Sequence, residues 1–142
     1  MPTMKCSDVM KREILTAHRN DSVQALALKM VERGAAFVAV IDDEGRFVGG
    51  ITERSLVAQV VGSGRPSHTL KAGNLTHAFP TVGPDDEHTS AEAKMRDARS
   101  VRAVVVDAEK HLLGAISLTS LAETAGSADA GNLLKELKRA DI

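Results

Sequence analysis

Phe47-Val48-Gly49-Gly50-Ile51-Thr52-Glu53-Arg54-Ser55-Leu56 decides the fold, because Leu112-Leu113-Gly114-Ala115-Ile116-Ser117-Leu118-Thr119-Ser120-Leu121 repeats its plan 65 positions later. Each stretch is a short apolar run broken by glycine, then a hydroxyl residue suited to capping a helix, then a helical run. Sliding the chain by 65 positions superposes two halves without a gap. Thr16 meets Thr81, Asp21 meets Asp86, Lys29 meets Lys94 and Met30 meets Met95. Val40, Asp42, Glu44 and Gly49 meet Val105, Asp107, Glu109 and Gly114, and Ile51, Ser55 and Leu56 meet Ile116, Ser120 and Leu121. These matches fall at turns, caps and core positions, so the chain reads as a duplication.

Working outward, each half reads strand, helix, strand, strand, helix. In the first half, Ile14 to Ala17 is the short strand. Asp21 is the expected N-cap of a helix whose apolar stripe is Val23, Leu26, Ala27, Met30 and Val31, and Gly34 ends it. Phe37 to Ile41 suits a buried strand, Asp42-Asp43-Glu44-Gly45 a turn, and Phe47 to Ile51 the returning strand. Thr52 caps a second helix with Leu56, Val57, Val60 and Val61 on its apolar side. The second half follows suit, with Pro84-Asp85-Asp86 before its helix, Ala103 to Val106 as strand and Leu112 to Ile116 as return. Its first helix differs: Glu92 and Arg96 replace Ala27 and Val31, spaced to pair on a solvated face, or to meet a different neighbour. Asn132 to Asp141 reads as a short tail helix with Leu133, Leu134 and Leu137 on one side, to be docked on the body or on a second subunit.

The predicted fold is therefore α/β in content, α+β in small mixed sheets, with two pseudo-symmetric repeats of β-α-β-β-α order packed into one module. The expected divisions are residues 6–61 and 71–125 for the repeats, 62–70 for the linker and 126–142 for the tail. A repeat of this size cannot bury enough surface alone.

Eighteen basic against 19 acidic residues leave a net charge of −1, without the basic excess of a chain that grips phosphate backbones. Phe37, Phe47 and Phe79 are the only aromatic residues, so base-stacking platforms are scarce and a nucleic-acid partner is not expected. No apolar run approaches the ~20 residues that span a bilayer, so no membrane partner is expected either. Cys6 is the single cysteine, which excludes an internal disulfide and suits a reducing cytoplasm. His18, His68, His77, His88 and His111 lack zinc spacing, and no metal site is expected. The hydroxyls of Thr52, Ser55, Ser117 and Ser120 have no neighbouring histidine in sequence to activate them, so the chain does not read as an enzyme.

The two quoted stretches, together with Ser7-Asp8-Val9-Met10 at the opening of the first repeat, resemble the CBS (cystathionine β-synthase) domain. The resemblance spans Cys6 to Ala125 and resembles a stand-alone tandem pair, or Bateman module. It implies two inter-repeat clefts that in many relatives take AMP, ADP, ATP or S-adenosylmethionine, a homodimer, and regulation of another protein. The family pattern Gly-x-x-Thr-x-x-Asp uses its Asp to accept from both ribose hydroxyls. Here Gly49 and Thr52 are kept but Ser55 stands where Asp is expected, and Gly114 and Ser117 are followed by Ser120. A serine loses the charge and the two-oxygen grip, worth ~1.5–3 kcal/mol. A proline frequent in the family's preceding strand is replaced by Ala39 and Val104. Arg102 resembles the basic residue that faces phosphate in nucleotide-binding relatives, whereas its counterpart Phe37 would present an apolar wall to a base. The ligand residues implied are Thr52, Ser55, Arg102, Ser117, Ser120 and Phe37, for an adenine nucleotide or related anionic adenosyl metabolite. The alternative is a ligand-free dimerisation or docking module with degenerate sites.

Overall fold

The computed structural model describes residues 4–124, 126 and 128–140; Ala125 and Asp141, where the sequence places the end of a repeat and of the tail helix, lie outside them. The chain forms α1 (Cys6–Val9), β1 (Leu15–His18), α2 (Val23–Arg33), β2 (Phe37–Ile41), β3 (Phe47–Thr52) and α3 (Glu53–Leu56). The last continues as a π-helical turn over Val57–Val61, and short 3-10 turns follow at Ser67–Thr69 and Ala72–Asn74. Then come β4 (Thr81–Val82), α4 (His88–Ala98), β5 (Arg102–Val106), β6 (Leu112–Ser117), α5 (Leu118–Thr124) and α6 (Ala128–Ala140).

The duplication is written into the backbone. Two three-stranded mixed sheets have the orders β1-β2-β3 and β4-β5-β6, the first pair of each parallel and the second antiparallel. Thr16 pairs with Ala39 as Thr81 pairs with Val104, and the register slips between Val40 and Ile41 as it does between Val105 and Val106. Even the bulges are copied.

The compact units are cut differently from the repeats. Unit 1 joins residues 1–13 to 79–142, and unit 2 is residues 14–78. The segment that leads into each repeat thus packs on the body of the other half. Lys11 exchanges both backbone bonds with Ala115 on the edge of β6, at 2.8 and 3.0 Å. His77 does the same with Gly50 on the edge of β3, both at 2.9 Å. These ladders close sheet edges that would otherwise stay open.

Each unit has its own apolar core. In unit 2 it comprises Ala17, Val23, Leu26, Met30, Val38, Val40, Ile51, Ala72 and Leu75. In unit 1, Cys6, Val9, Val82, Ala91, Met95, Val105, Ile116, Leu118 and Leu121 are joined by Ala130, Leu133 and Leu137 of α6. The tail helix therefore docks on its own unit, chiefly against α5. Fully burying each of those leucines contributes ~1.5–3 kcal/mol, which holds a helix too short to be stable in isolation.

Several local expectations give way. Ser22, not Asp21, caps α2: its Oγ accepts from the Ala25 N–H, while the Asp21 carboxylate closes the preceding turn by accepting from the His18 N–H. Val31 is 79% exposed, and Val57 and Val61 are 61% and 76% exposed. The wider π turn carries Val57 and Val61 off the stripe that Leu56 and Val60 keep against the core. Glu92 is buried and meets His88 Nδ1 at 3.2 Å, one helical turn back, while Arg96 stays exposed.

Leu133→Ala is expected to lower unfolding stability by about 2–4 kcal/mol in a urea titration, the cost of a cavity under α6. Burial, aided by Asp86, pushes the Cys6 thiol from 9.0 up to about 11. The folded state therefore holds the thiol proton more tightly than the unfolded chain, a stabilisation complete below pH 9 and lost as pH rises toward about 11. At pH 8, Cys6 is expected to react with a thiol reagent in the unfolded protein far faster than in the folded one.

Candidate functional site

The candidate site is the place, present once in each unit, where the last strand of a sheet runs directly into a helix. In unit 2, β3 ends at Thr52, the N-cap of α3. Thr52 Oγ1 accepts from the Ser55 N–H at 3.1 Å, and Ser55 Oγ accepts from the Thr52 N–H at 2.9 Å, a reciprocal capping box. The Ser55 hydroxyl also donates to the Thr52 carbonyl at 2.8 Å. In unit 1, Ser117 Oγ accepts from the Ser120 N–H at 3.1 Å and Ser120 Oγ from the Ser117 N–H at 3.4 Å. Ser120 donates to the Ser117 carbonyl at 3.0 Å, and the two hydroxyl oxygens are 3.1 Å apart.

The strand alongside supplies the next residue. Phe37 lies directly across from Thr52, and Arg102 directly across from Ser117. The Glu53 N–H donates to the Ala36 carbonyl and the Leu118 N–H to the Val101 carbonyl, so the pairs before these are the non-hydrogen-bonded kind. Such pairs bring Cα atoms to about 4.5 Å, with side chains on one face. Structure thus brings Phe37, Thr52 and Ser55 together in unit 2, and Arg102, Ser117 and Ser120 together in unit 1. Phe37 is buried, whereas Arg102 and all four hydroxyl residues are half-buried. Arg54 is exposed on the first turn of α3.

The glycines ahead of each cap are set by close approach. A Cβ on Gly49 would fall 2.7 Å from the Thr76 Cβ and 3.0 Å from the His77 carbonyl oxygen. One on Gly114 would fall 2.7 Å from the Lys11 carbonyl oxygen and 2.9 Å from the Met10 Sδ. The neighbour demanding glycine is therefore the leading segment, whose edge bonds lie one residue farther along, at Gly50 and Ala115.

The chemistry on offer differs between the units. Ser55 and Ser120 each give their proton to a cap carbonyl and accept one N–H; Ser55 keeps a single lone pair for an incoming hydroxyl, whereas Ser120 spends its second on the Ser117 hydroxyl. Thr52 keeps its O–H free to donate among the described residues, while Ser117 spends its own on Ser120. Unit 2 thus offers a hydroxyl donor beside an aromatic face, and unit 1 a guanidinium beside a helix start.

Sequence reasoning missed two features. One is the buried His88–Glu92 pair, signalled only by an i,i+4 spacing that Arg96 also satisfied. The other is the turn after β5, where ligand atoms of Asp107, Glu109 and His111 lie within 4.8 Å of one another. Its copy after β2 is built from Asp42, Glu44 and Arg46, with Arg46 ion-paired to both acids at 3.1 Å. The carboxylate of Asp107 accepts from the Glu109 and His111 backbone N–H groups, as Asp42 does from Glu44 and Arg46. Turn formation accounts for the grouping.

The sequence pattern of the CBS domain matches residues 6–62 and 72–126, and the chain belongs to that family. Protein MK0525 of Methanopyrus kandleri is 27% identical over 122 residues, 85% of this chain, and the chain spans 62% of that relative's length. The crystal structure of the CBS domain protein TA0289 from Thermoplasma acidophilum superposes with a TM-score of 0.83 at 22% identity, covering 97% of this chain and 78% of that one. The CBS domain protein PAE2072 from Pyrobaculum aerophilum, complexed with AMP, superposes at 0.77 with 20% identity, covering 96% and 99%. The fold is that of a CBS domain pair.

Proposed function

We propose that the chain is a regulatory module, not an enzyme, that binds an adenine nucleotide or related anionic adenosyl metabolite at the strand-to-helix junctions. The observation that carries this reading is the placement of Arg102 beside the Ser117–Ser120 cap. A guanidinium and a helix start both favour phosphate. In the other copy, Phe37 beside Thr52 supplies an apolar face and a hydroxyl donor of the kind that orients a nucleoside. The AMP complex of PAE2072, a fold neighbour over nearly its whole length, supports AMP as the first ligand to try. ADP, ATP and S-adenosylmethionine share the adenosine that Ser55 would meet through one ribose hydroxyl, and Ser120 would do the same by giving up its bond from the Ser117 hydroxyl. In this reading the module works in the cytoplasm as a homodimer, and ligand biases a regulated protein only through its differential affinity for two arrangements.

A second reading is favoured by one observation: both serines at the ribose position are engaged in their own caps. A degenerate pair would then serve as a ligand-free docking unit.

Thermal unfolding against AMP, ADP, ATP, S-adenosylmethionine and adenosine separates the two. Ligand at a hundred times its dissociation constant is expected to stabilise the protein by about 2.7 kcal/mol, a shift of several degrees. Arg102→Ala is expected to weaken AMP about tenfold or more while leaving adenosine nearly unchanged. A flat response to every ligand overturns the sensor reading, and equal losses for AMP and adenosine remove Arg102 from the phosphate role.

A further inference from the structure

At the end of β3 remote from Thr52, unit 2 has a cleft of about 250 Å3 lined by Arg19, Asn20, Val48, Lys71, Gly73 and Asn74. Val48 and Thr52 are four residues apart on one strand, about 13 Å at 3.3 Å per residue, so this cleft is separate from the cap. Two backbone turns build it. The Gly73 N–H donates to the Arg19 carbonyl and the Ala72 N–H to the Asp21 carbonyl, both at 2.8 Å. The Asn74 N–H donates to the Lys71 carbonyl at 2.9 Å, and Asn74 Oδ1 accepts from the Lys71 N–H at 3.4 Å. Gly73 permits the contact, since a Cβ there would fall 2.9 Å from the Arg19 Cβ and 3.1 Å from its carbonyl oxygen.

The turns bring two cations to one cleft with no carboxylate in its lining. Among the described residues neither the Arg19 guanidinium nor the Lys71 ammonium forms an ion pair. The Asn20 side chain and the Asn74 NH2 add neutral donors, and Val48, 40% exposed, adds an apolar wall. Converging positive charges without a counter-charge raise the local concentration of anions.

The duplicate shows that this charge does not come with the fold. Matched by their backbone bonds, with the Ser7 N–H on the Pro84 carbonyl as the Gly73 N–H is on Arg19, the residues Arg19, Asn20, Lys71, Gly73 and Asn74 correspond to Pro84, Asp85, Lys5, Ser7 and Asp8. The equivalent place in unit 1 thus keeps one cation, Lys5, but sets two acids beside it, Asp8 and Asp85, the latter 3.7 Å from the Lys5 ammonium, and has Pro84 in place of Arg19. The same backbone plan has been given opposite charge in its two copies.

We propose that this cleft binds a small oxyanion, either inorganic phosphate or the phosphate group of a small metabolite. Its size, below the ~300–1,000 Å3 of pockets that enclose drug-sized ligands, suits an anion with a short organic part rather than a whole nucleotide. The site does not depend on the proposed nucleotide reading.

The test is a backbone amide NMR titration of the full chain with inorganic phosphate, at ionic strength held constant with chloride. A saturable shift is expected at Asn20, Gly73 and Asn74, in the millimolar range. Arg19→Gln and Lys71→Gln, both at exposed positions, are each expected to weaken it about two- to fivefold, and the double variant to abolish it. Arg102→Ala is expected to leave it intact, so failure here and failure at the cap are distinguishable. Glycerol 3-phosphate run beside phosphate separates the two sources: tighter binding points to the metabolite, equal binding to the free ion. Absence of a saturable shift, its reproduction by chloride alone, or its survival in the double variant overturns the proposal.

Discussion

The structure turns on two places where a backbone crosses too close to a strand for any side chain to intervene. At Gly114 the Met10–Lys11 segment, and at Gly49 the Thr76–His77 segment, lie within 3.0 Å of where a Cβ would be. Immediately beyond each contact, a pair of backbone bonds fastens the segment to the strand edge. A free edge is an open row of donors and acceptors, and closing it fixes the strand in register. That strand then feeds the helix cap without an intervening loop. The cap hydroxyls and the residue across from them are thus positioned by a rigid sheet rather than by a turn.

On this shared frame the two copies have diverged in chemistry. Phe37 and Arg102 occupy one structural position, as do Thr52 and Ser117, yet one pair presents an aromatic face and the other a guanidinium. The helix faces have diverged as well. Val31 is exposed on α2, while α4 carries Glu92 buried beside His88, and α6 lies over the α5 side of that unit. One backbone solution thus presents unequal residues in its two copies.

Much of the fold was legible in the sequence because the signals that define it are local. Asp42 to Gly45 and its copy are turns for reasons confined to a few residues, and Thr52 and Ser117 cap helices wherever those helices lie. The residues at the junctions were legible too, since strand register follows from the hydrophobic pattern and the turn. What escaped depends on neighbours distant in the chain. Whether Glu92 pairs with Arg96 or with His88 is decided by which side of α4 is buried, and the spacing permits either. Val57 and Val61 leave the apolar stripe because the helix widens into a π turn, which a 3.6-residue period does not anticipate. Ser55 and Ser120 read as losses from a ribose clamp. The Thr-x-x-Ser and Ser-x-x-Ser spacings also allow each to close its own cap, and the hydrogen bonds show that they do.

The most direct test of this account is Gly114→Ala, followed by amide hydrogen exchange at Ala115, bonded to Lys11, and at Ser120, bonded to the Ser117 hydroxyl. If the crossing holds the cap in place, the added methyl group lowers stability by about 1–3 kcal/mol and both amides lose protection together. Unchanged stability, or a Ser120 amide that keeps its protection while Ala115 loses its own, would contradict it.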